Sequence, residues 1–257
     1  MFELSHNPRE WSRPAAYALC EASTLAYRND DEAPGILISD DETDTQARIF
    51  PGHASTVLAF RGTESLRDGR TDIQATRGTW QGFAVHEGFL VAYLAIRQKI
   101  ENAVAMFTSD GQRLHITGHS LGGALATLAA LDLISAGAVR VGSVITFGAP
   151  RVFGLRGARW ADRILGGRLW RVINSNDLVP RIPKLFRRHV ELFGRRSRYP
   201  WCPTWRPFRH CGRRVLLTEA GETIVDPDGS EILYERLIGW RADMARDHTL
   251  SAYAGAI

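Results

Sequence analysis

An α/β fold, with a mostly parallel central sheet and helices on both faces, follows from three features of this 257-residue sequence. Thr56 to Phe60 and Val141 to Phe147 are apolar runs without alternation, the pattern of parallel strands buried on both faces. Arg113 to Leu125 reads Arg-Leu-His-Ile-Thr-Gly-His-Ser-Leu-Gly-Gly-Ala-Leu. That stretch is a short strand, a sharp turn at Ser120 and the start of a small-residue helix that continues through Ala136. Strand and helix then alternate along the chain, which is the order that builds a parallel sheet covered on both sides.

Each remaining element has its own signal. Pro14 to Tyr27 carries apolar residues at helical spacing and ends at the polar break Arg28-Asn29-Asp30-Asp31. Ile36 to Ile38 and Ala47 to Phe50 read as short strands around the acidic loop Asp40 to Asp44. Leu66 to Gly82 is polar and reads as turns, after which Val85 to Phe89 leads into a helix reaching about Met106. Leu169 to Asn174 is a further strand, Val215 to Leu217 and Thr223 to Val225 a hairpin or sheet extension, and Glu231 to Tyr253 helical segments. No internal repeat or low-complexity linker divides the chain, so residues 1–257 are expected to form one domain.

Composition narrows the class of protein. Hydrophobic residues make up 44% and charged residues 23%, ordinary values for a folded chain, and the net charge is only +4. Three cysteines, Cys20, Cys202 and Cys211, cannot all pair with one another. Met1 to Trp11 is polar, without the apolar core of a secretory signal, and no apolar run reaches the length of a membrane span. A cytoplasmic location is the default expectation, with export by another route left open.

The turn at Gly118-His119-Ser120-Leu121-Gly122 is where chemistry is expected. A serine hydroxyl is a weak nucleophile near neutral pH and must be exposed on a tight turn beside a base. Side chains two before and two after the serine would collide in such a turn, hence Gly118 and Gly122. The following helix directs its N-terminal backbone N–H groups and positive dipole end toward a developing oxyanion.

On this architecture the base and its orienting acid follow the serine in the order acid, then histidine. His119 adjoins the serine and should point away from its hydroxyl, so it is not the base. Among His189, His210 and His248, the last lies near the C-terminus, where a final loop can fold over the turn. Asp177 stands just past a strand end, whereas Asp162, Asp226 and Asp228 lie in segments that read as helix or hairpin turn. Oxyanion donors are expected from Leu121 and Thr63, since Gly62 lets the backbone approach and the Thr63 hydroxyl adds a second donor.

Taken together, Phe60-Arg61-Gly62-Thr63, Val85-His86-Glu87-Gly88-Phe89, Gly118 to Leu125, Phe147-Gly148-Ala149-Pro150-Arg151-Val152, Asn176 to Pro180, and Asp247-His248 with Tyr253 resemble the class 3 lipase family. This is the filamentous-fungal-lipase-like branch of the α/β-hydrolases, and the motifs stand in the family's order. The resemblance implies an α/β-hydrolase fold, a triad of Ser120, Asp177 and His248, and an oxyanion hole of Thr63 and Leu121. It further implies that Asp72 steadies the Thr63 hydroxyl and that His210 is structural. Where fungal members carry a tryptophan in the lid, Leu66 to Thr71 is polar, which argues against strong interfacial activation.

The chain is therefore expected to be a cofactor-independent serine carboxylester hydrolase acting on acyl esters or lipids through an acyl-enzyme. The alternatives are a phospholipase A-type enzyme on anionic membranes and a non-catalytic binding protein on the same scaffold. An arginine-rich and aromatic insertion at about 184–206 suits peripheral membrane contact or an ordinary solvated loop, and no nucleic-acid-reading motif accompanies it. Cys202, His210 and Cys211 do not match a zinc spacing, so no metal is expected.

Overall fold

Ser55–Phe60 forms a strand buried at every position, and it lies third in an eight-stranded sheet. The computed structural model describes residues 2–28, 33–63, 76–174, 177, 179–181, 191–192, 195–196, 208–227 and 248–257. The strands of the large sheet are β1 (Ile36–Asp40), β2 (Thr45–Phe50), β3 (Ser55–Phe60), β6 (Arg113–His119), β7 (Val141–Phe147), β9 (Leu169–Asn174), β13 (Arg213–Leu217) and β14 (Thr223–Val225). Their order is β1-β2-β3-β6-β7-β9-β13-β14. From β3 to β13 every pairing is parallel, and antiparallel strands close both edges.

Both faces of this sheet are covered, as its continuous apolar strands require. On one side lie α2 (Glu87–Phe107), α3 (Leu121–Ala136) and α4 (Leu155–Leu165), around a core that includes Phe60, Ile116, Leu128 and Phe153. On the other lie α1 (Arg13–Leu25) and the C-terminal helix α5 (Leu250–Ala256), around Leu19, Phe147, Trp170 and Tyr253. Ser12 caps α1 by accepting from the Ala15 N–H at 3.3 Å. Helix α3 is apolar nearly all round because it is buried between the sheet and its neighbouring helices, not laid on a surface.

One expectation needs correcting. Within the stretch read as polar turns, Arg77–Trp80 forms strand β4, which pairs antiparallel with β5 (Phe83–His86). The two-residue loop has Gln81 at φ 51° and Gly82 at φ 78°, the left-handed pair that suits a tight hairpin. Two short strands, β8 (Phe153–Gly154) and β12 (Phe208–Arg209), complete a separate sheet in the order β12-β8-β5-β4. The hairpin is secured by Trp80, whose ring packs edge-on to Trp160 at 5.9 Å, a contact invisible to local patterning.

Of the expected insertion at 184–206, only the antiparallel pair β10 (Glu191–Leu192) and β11 (Arg195–Arg196) is described. Asp72, His189, Cys202 and Asp228 lie outside the described residues, as does most of the helical stretch expected from Glu231. Among the described residues, no helix is long and apolar enough to cross a membrane.

Two buried histidines predict acid sensitivity. His86 stacks on Phe89 at 3.9 Å with neither ring nitrogen hydrogen-bonded among the described residues, and burial pushes its pKa down to about 4. His115 is pushed down to about 4 by burial and by nearby His6 and Arg113. The unfolded chain therefore binds more protons below about pH 6.5, and stability is lost from there down to the folded pKa values. Each histidine is expected to cost up to about 3 kcal/mol by pH 4. Urea unfolding between pH 7 and 4.5 should show this decline, and His86→Leu should flatten it. An unchanged pH slope in that variant would refute the assignment to His86.

Candidate active site

Strand β6 ends at His119, and the next residue takes a backbone conformation that L-residues avoid: Ser120 has φ 56° and ψ −128°. Such a conformation costs of the order of 1–3 kcal/mol and persists only where its surroundings impose it. Here the Ser120 N–H donates to the Phe147 carbonyl at 2.9 Å, and the Ser120 carbonyl accepts from the Gly123 N–H at 3.0 Å. A β-carbon on Gly118 would collide with the Gly122 carbonyl, and one on Gly122 with the Phe60 carbonyl. These collisions supply the physical reason for both glycines.

Ser120 occupies the N-cap position of α3, but its hydroxyl makes no capping bond. The side chain is buried, and its Oγ has no hydrogen-bond partner among the described residues. The hydroxyl is thus held in place and chemically unspent.

Three carboxyl ends of strands meet at this point, the edge where open α/β sheets bind ligands. After β9, Asp177 is fully buried and its carboxylate accepts three hydrogen bonds. Its Oδ1 takes the Val179 N–H at 2.9 Å, and its Oδ2 takes the Tyr253 hydroxyl at 2.5 Å and His248 Nδ1 at 2.8 Å. His248, just before α5, is buried too, and its Nε2 has no partner among the described residues. Beyond β7, a β-carbon on Gly148 would lie 2.6 Å from Asp177 Oδ2 and 2.9 Å from His248 Nδ1, so only glycine leaves room for this pair. The Ser120 N–H bonds to the Phe147 carbonyl and His248 abuts Gly148, so serine and histidine both adjoin the same two-residue segment.

His119 is excluded as a base because both ring nitrogens are engaged. Nε2 meets the His248 carbonyl at 2.5 Å, where it can only donate; Nδ1 therefore accepts from the Tyr27 hydroxyl at 2.8 Å. The ring fastens the main chain of His248 to the turn that carries Ser120. Neither Tyr27 nor Tyr253 was marked out by local sequence for these contacts. The clue for Tyr253 is its position five residues after His248, which α5 converts into a reach across to Asp177. Burial and the adjacent Asp177 carboxylate push its phenol well above the ordinary tyrosine range.

The loop after β3 completes the cluster. A β-carbon on Gly62 would lie 3.2 Å from the Ser120 β-carbon, so the Arg61–Thr63 backbone rests directly against the serine. Leu121 opens α3 on the other side of it. The remaining acids and histidine are spent elsewhere: Asp162 accepts the Gly212 N–H at 2.6 Å, Asp226 pairs with Arg213 at 2.6 Å, and His210 bonds through Nε2 to the Pro180 carbonyl at 2.6 Å. Burial and then the positive charge of Arg171 keep the His210 pKa well below the usual histidine range. Among the described residues, no group of three or more His, Cys, Asp or Glu side chains has a metal-binding arrangement.

The chain is 31% identical over 205 residues to secreted mono- and diacylglycerol lipase A of Penicillium cyclopium, covering 71% of this chain and 66% of that one. It is 30% identical over 233 residues to phospholipase A1-Igamma1, chloroplastic, of Arabidopsis thaliana, covering 75% of this chain. The chain spans only 34–43% of the length of three Arabidopsis phospholipases A1 that it matches. Its fold is similar to that of lipase II from Rhizopus niveus, with a TM-score of 0.67, 22% identity and 91% coverage of both chains. The sequence profile described as Lipase (class 3) matches residues 57–186, which run from β3 through the serine turn to just beyond Asp177, and the chain therefore belongs to the class 3 lipase family.

Proposed function

We propose that this protein hydrolyses carboxylic esters of lipids through an acyl-enzyme on Ser120. The observation that carries the reading is a pair of buried atoms without hydrogen-bond partners among the described residues, Ser120 Oγ and His248 Nε2, on residues that both adjoin the Phe147–Gly148 segment, while Asp177 engages Nδ1 on the other side of the imidazole. No Ser120–His248 hydrogen bond is made, in keeping with sites whose catalytic contacts tighten only around substrate.

In this mechanism Ser120 Oγ attacks the ester carbonyl carbon as His248 Nε2 takes the hydroxyl proton. Negative charge passes to the carbonyl oxygen, where the N–H groups of Leu121 and Thr63 receive it. The tetrahedral intermediate collapses, breaking the bond to the alcohol oxygen, and His248 returns the proton to that leaving group. Water activated by His248 then attacks the acyl-serine, releasing the acid and restoring Ser120. Asp177 keeps Nδ1 protonated throughout, so that Nε2 is the basic nitrogen. Asp72, proposed to steady Thr63, lies outside the described residues.

A phospholipase A-type activity is the second reading, favoured by the Arabidopsis relatives named phospholipase A1. Membrane contact through the 184–206 insertion belongs to that reading. Relatives named chloroplastic or secreted give no support to a cytoplasmic location.

Hydrolysis of p-nitrophenyl esters from acetate to palmitate, and of phosphatidylcholine vesicles with and without anionic lipid, separates the readings. Turnover of neutral esters indifferent to vesicles is the expected outcome for an esterase or lipase. Activity confined to anionic vesicles and weakened by salt would select the phospholipase. A protein inert on every substrate and unlabelled by a fluorophosphonate at Ser120 would instead be a binding protein on a hydrolase scaffold.

A further inference from the structure

Tyr27 follows Ala26, the C-cap of α1, and its N–H donates to the Thr24 carbonyl at 3.1 Å, so the end of the helix fixes where its ring projects. The hydroxyl lies 2.8 Å from His119 Nδ1, and the Arg61 guanidinium sits over the ring, 5.9 Å from its centroid. Arg61 is tied in turn to β2, through its N–H to the Gln46 carbonyl at 3.0 Å and through Nη1 to Gln46 Oε1 at 2.8 Å. A β-carbon on Gly62 would collide with the Tyr27 hydroxyl. That oxygen is therefore held between the loop after β3 and the His119 ring.

The buried His119 ring touches the base in two ways. Its Nε2 meets the His248 carbonyl at 2.5 Å, and the two imidazole centroids are 4.5 Å apart. A carbonyl only accepts, so Nε2 carries a proton, and in a neutral imidazole the lone pair is then on Nδ1. A phenol hydroxyl can donate to that lone pair, and a phenyl ring cannot. Without the hydroxyl the His119 ring loses a restraint on its turning, and with it the hold on the His248 carbonyl. Displacing a reacting group by about 1 Å can cost about 10²-fold in rate.

We propose that Tyr27 is a positioning residue for ester hydrolysis, its hydroxyl orienting His119 and, through that ring, holding the main chain of His248 in register with Ser120. It rests on the ester-hydrolase reading. Tyr27 touches neither Ser120 nor the His248 ring in this relay; it acts through the imidazole that adjoins both. The N-terminal helix is in this way part of the machinery that places the base, although α1 carries none of the triad.

Steady-state hydrolysis of p-nitrophenyl butyrate by the full chain, with kcat expressed per Ser120 labelled by a fluorophosphonate, tests the relay on folded sites alone. Tyr27→Phe keeps the ring and should lower kcat by about three- to tenfold, with KM within about twofold of wild type. Tyr17→Phe, at an exposed position of the same helix, should change neither. In a His119→Gln background Tyr27→Phe should add less than about twofold, because the hydroxyl acts through the imidazole. In 15N spectra of histidine-labelled protein, the His119 signals are those absent from His119→Gln. They should show a proton on Nε2 and a hydrogen-bonded Nδ1, and Tyr27→Phe should move Nδ1 toward an unbonded imidazole nitrogen. An unchanged kcat in Tyr27→Phe, losses that add in the double variant, or a wild-type His119 protonated on Nδ1 alone overturns the proposal. Should Tyr27→Phe fail to fold, His119→Gln decides: a fall in kcat at constant KM upholds the relay, and an unchanged kcat overturns it. A wild type that neither turns over ester nor labels overturns the hydrolase reading as well, whereas an active wild type matched by Tyr27→Phe overturns the relay alone.

Discussion

Replacing Ser120 with glycine is expected to abolish ester hydrolysis while raising the melting temperature by roughly 2–4 °C. The loss follows from removing the proposed nucleophile, whose absence costs on the order of 10⁶ in kcat in a well-studied serine hydrolase. The gain follows from the backbone: φ 56° with ψ −128° strains any residue with a β-carbon, and glycine adopts it freely. Glycine also removes a buried hydroxyl that has no hydrogen-bond partner among the described residues. Ser120→Ala separates the two effects, being equally inactive but retaining the strain. Calorimetry and ester turnover on the three proteins check this, and a glycine variant that melts no higher than the alanine variant would show that the turn stores no recoverable strain.

Asp177→Asn is expected to lower kcat by about 10⁴ with a nearly unchanged fold. The asparagine oxygen can still accept from the Val179 N–H, but its amide group then faces His248 Nδ1 and the Tyr253 hydroxyl. An amide donates where the carboxylate accepted, so Nδ1 becomes an acceptor and the proton moves to Nε2. A protonated Nε2 cannot take the Ser120 proton. Tyr253→Phe provides the contrast: it removes one of three bonds to the carboxylate without changing the imidazole tautomer. A fall of about ten- to a hundredfold in kcat with little change in KM is expected there, since a hydrogen bond to a charged group contributes about 1.5–3 kcal/mol. Equal losses in the two variants would mean that Asp177 acts only through its position.

Local chemistry accounts for much of this architecture. β3 and β7 are legible as mostly apolar runs buried on both faces, whereas β6, which buries His115 and Thr117, is legible from Leu114 and Ile116 and from the turn that follows it. The turn at Ser120 is legible because Gly118 and Gly122, four residues apart, must both lack a β-carbon, although the carbonyl that Gly122 avoids belongs to Phe60, far along the chain. Asp177 and His248 required more: strand ends, their order along the chain and a family resemblance suggested them, and no local pattern joins two residues 71 positions apart. The β4–β5 hairpin escaped notice because its stability comes from Trp80 against Trp160, across the fold from a polar segment.

Residue spacing thus determined the sheet, the serine turn and the helix that follows it, because backbone conformation and short-range sterics depend on neighbours in the chain. Tertiary packing alone decided which side chains meet across it. Tyr253 reaches Asp177 and Tyr27 reaches His119 only after α5 and α1 pack on the same face of the sheet. Arg171 comes to lie beside Arg214 only because parallel strands bring residues 43 positions apart into register. These contacts depend on distance in space, and a hydrogen bond or a buried charge has no range along the sequence from which it could be read.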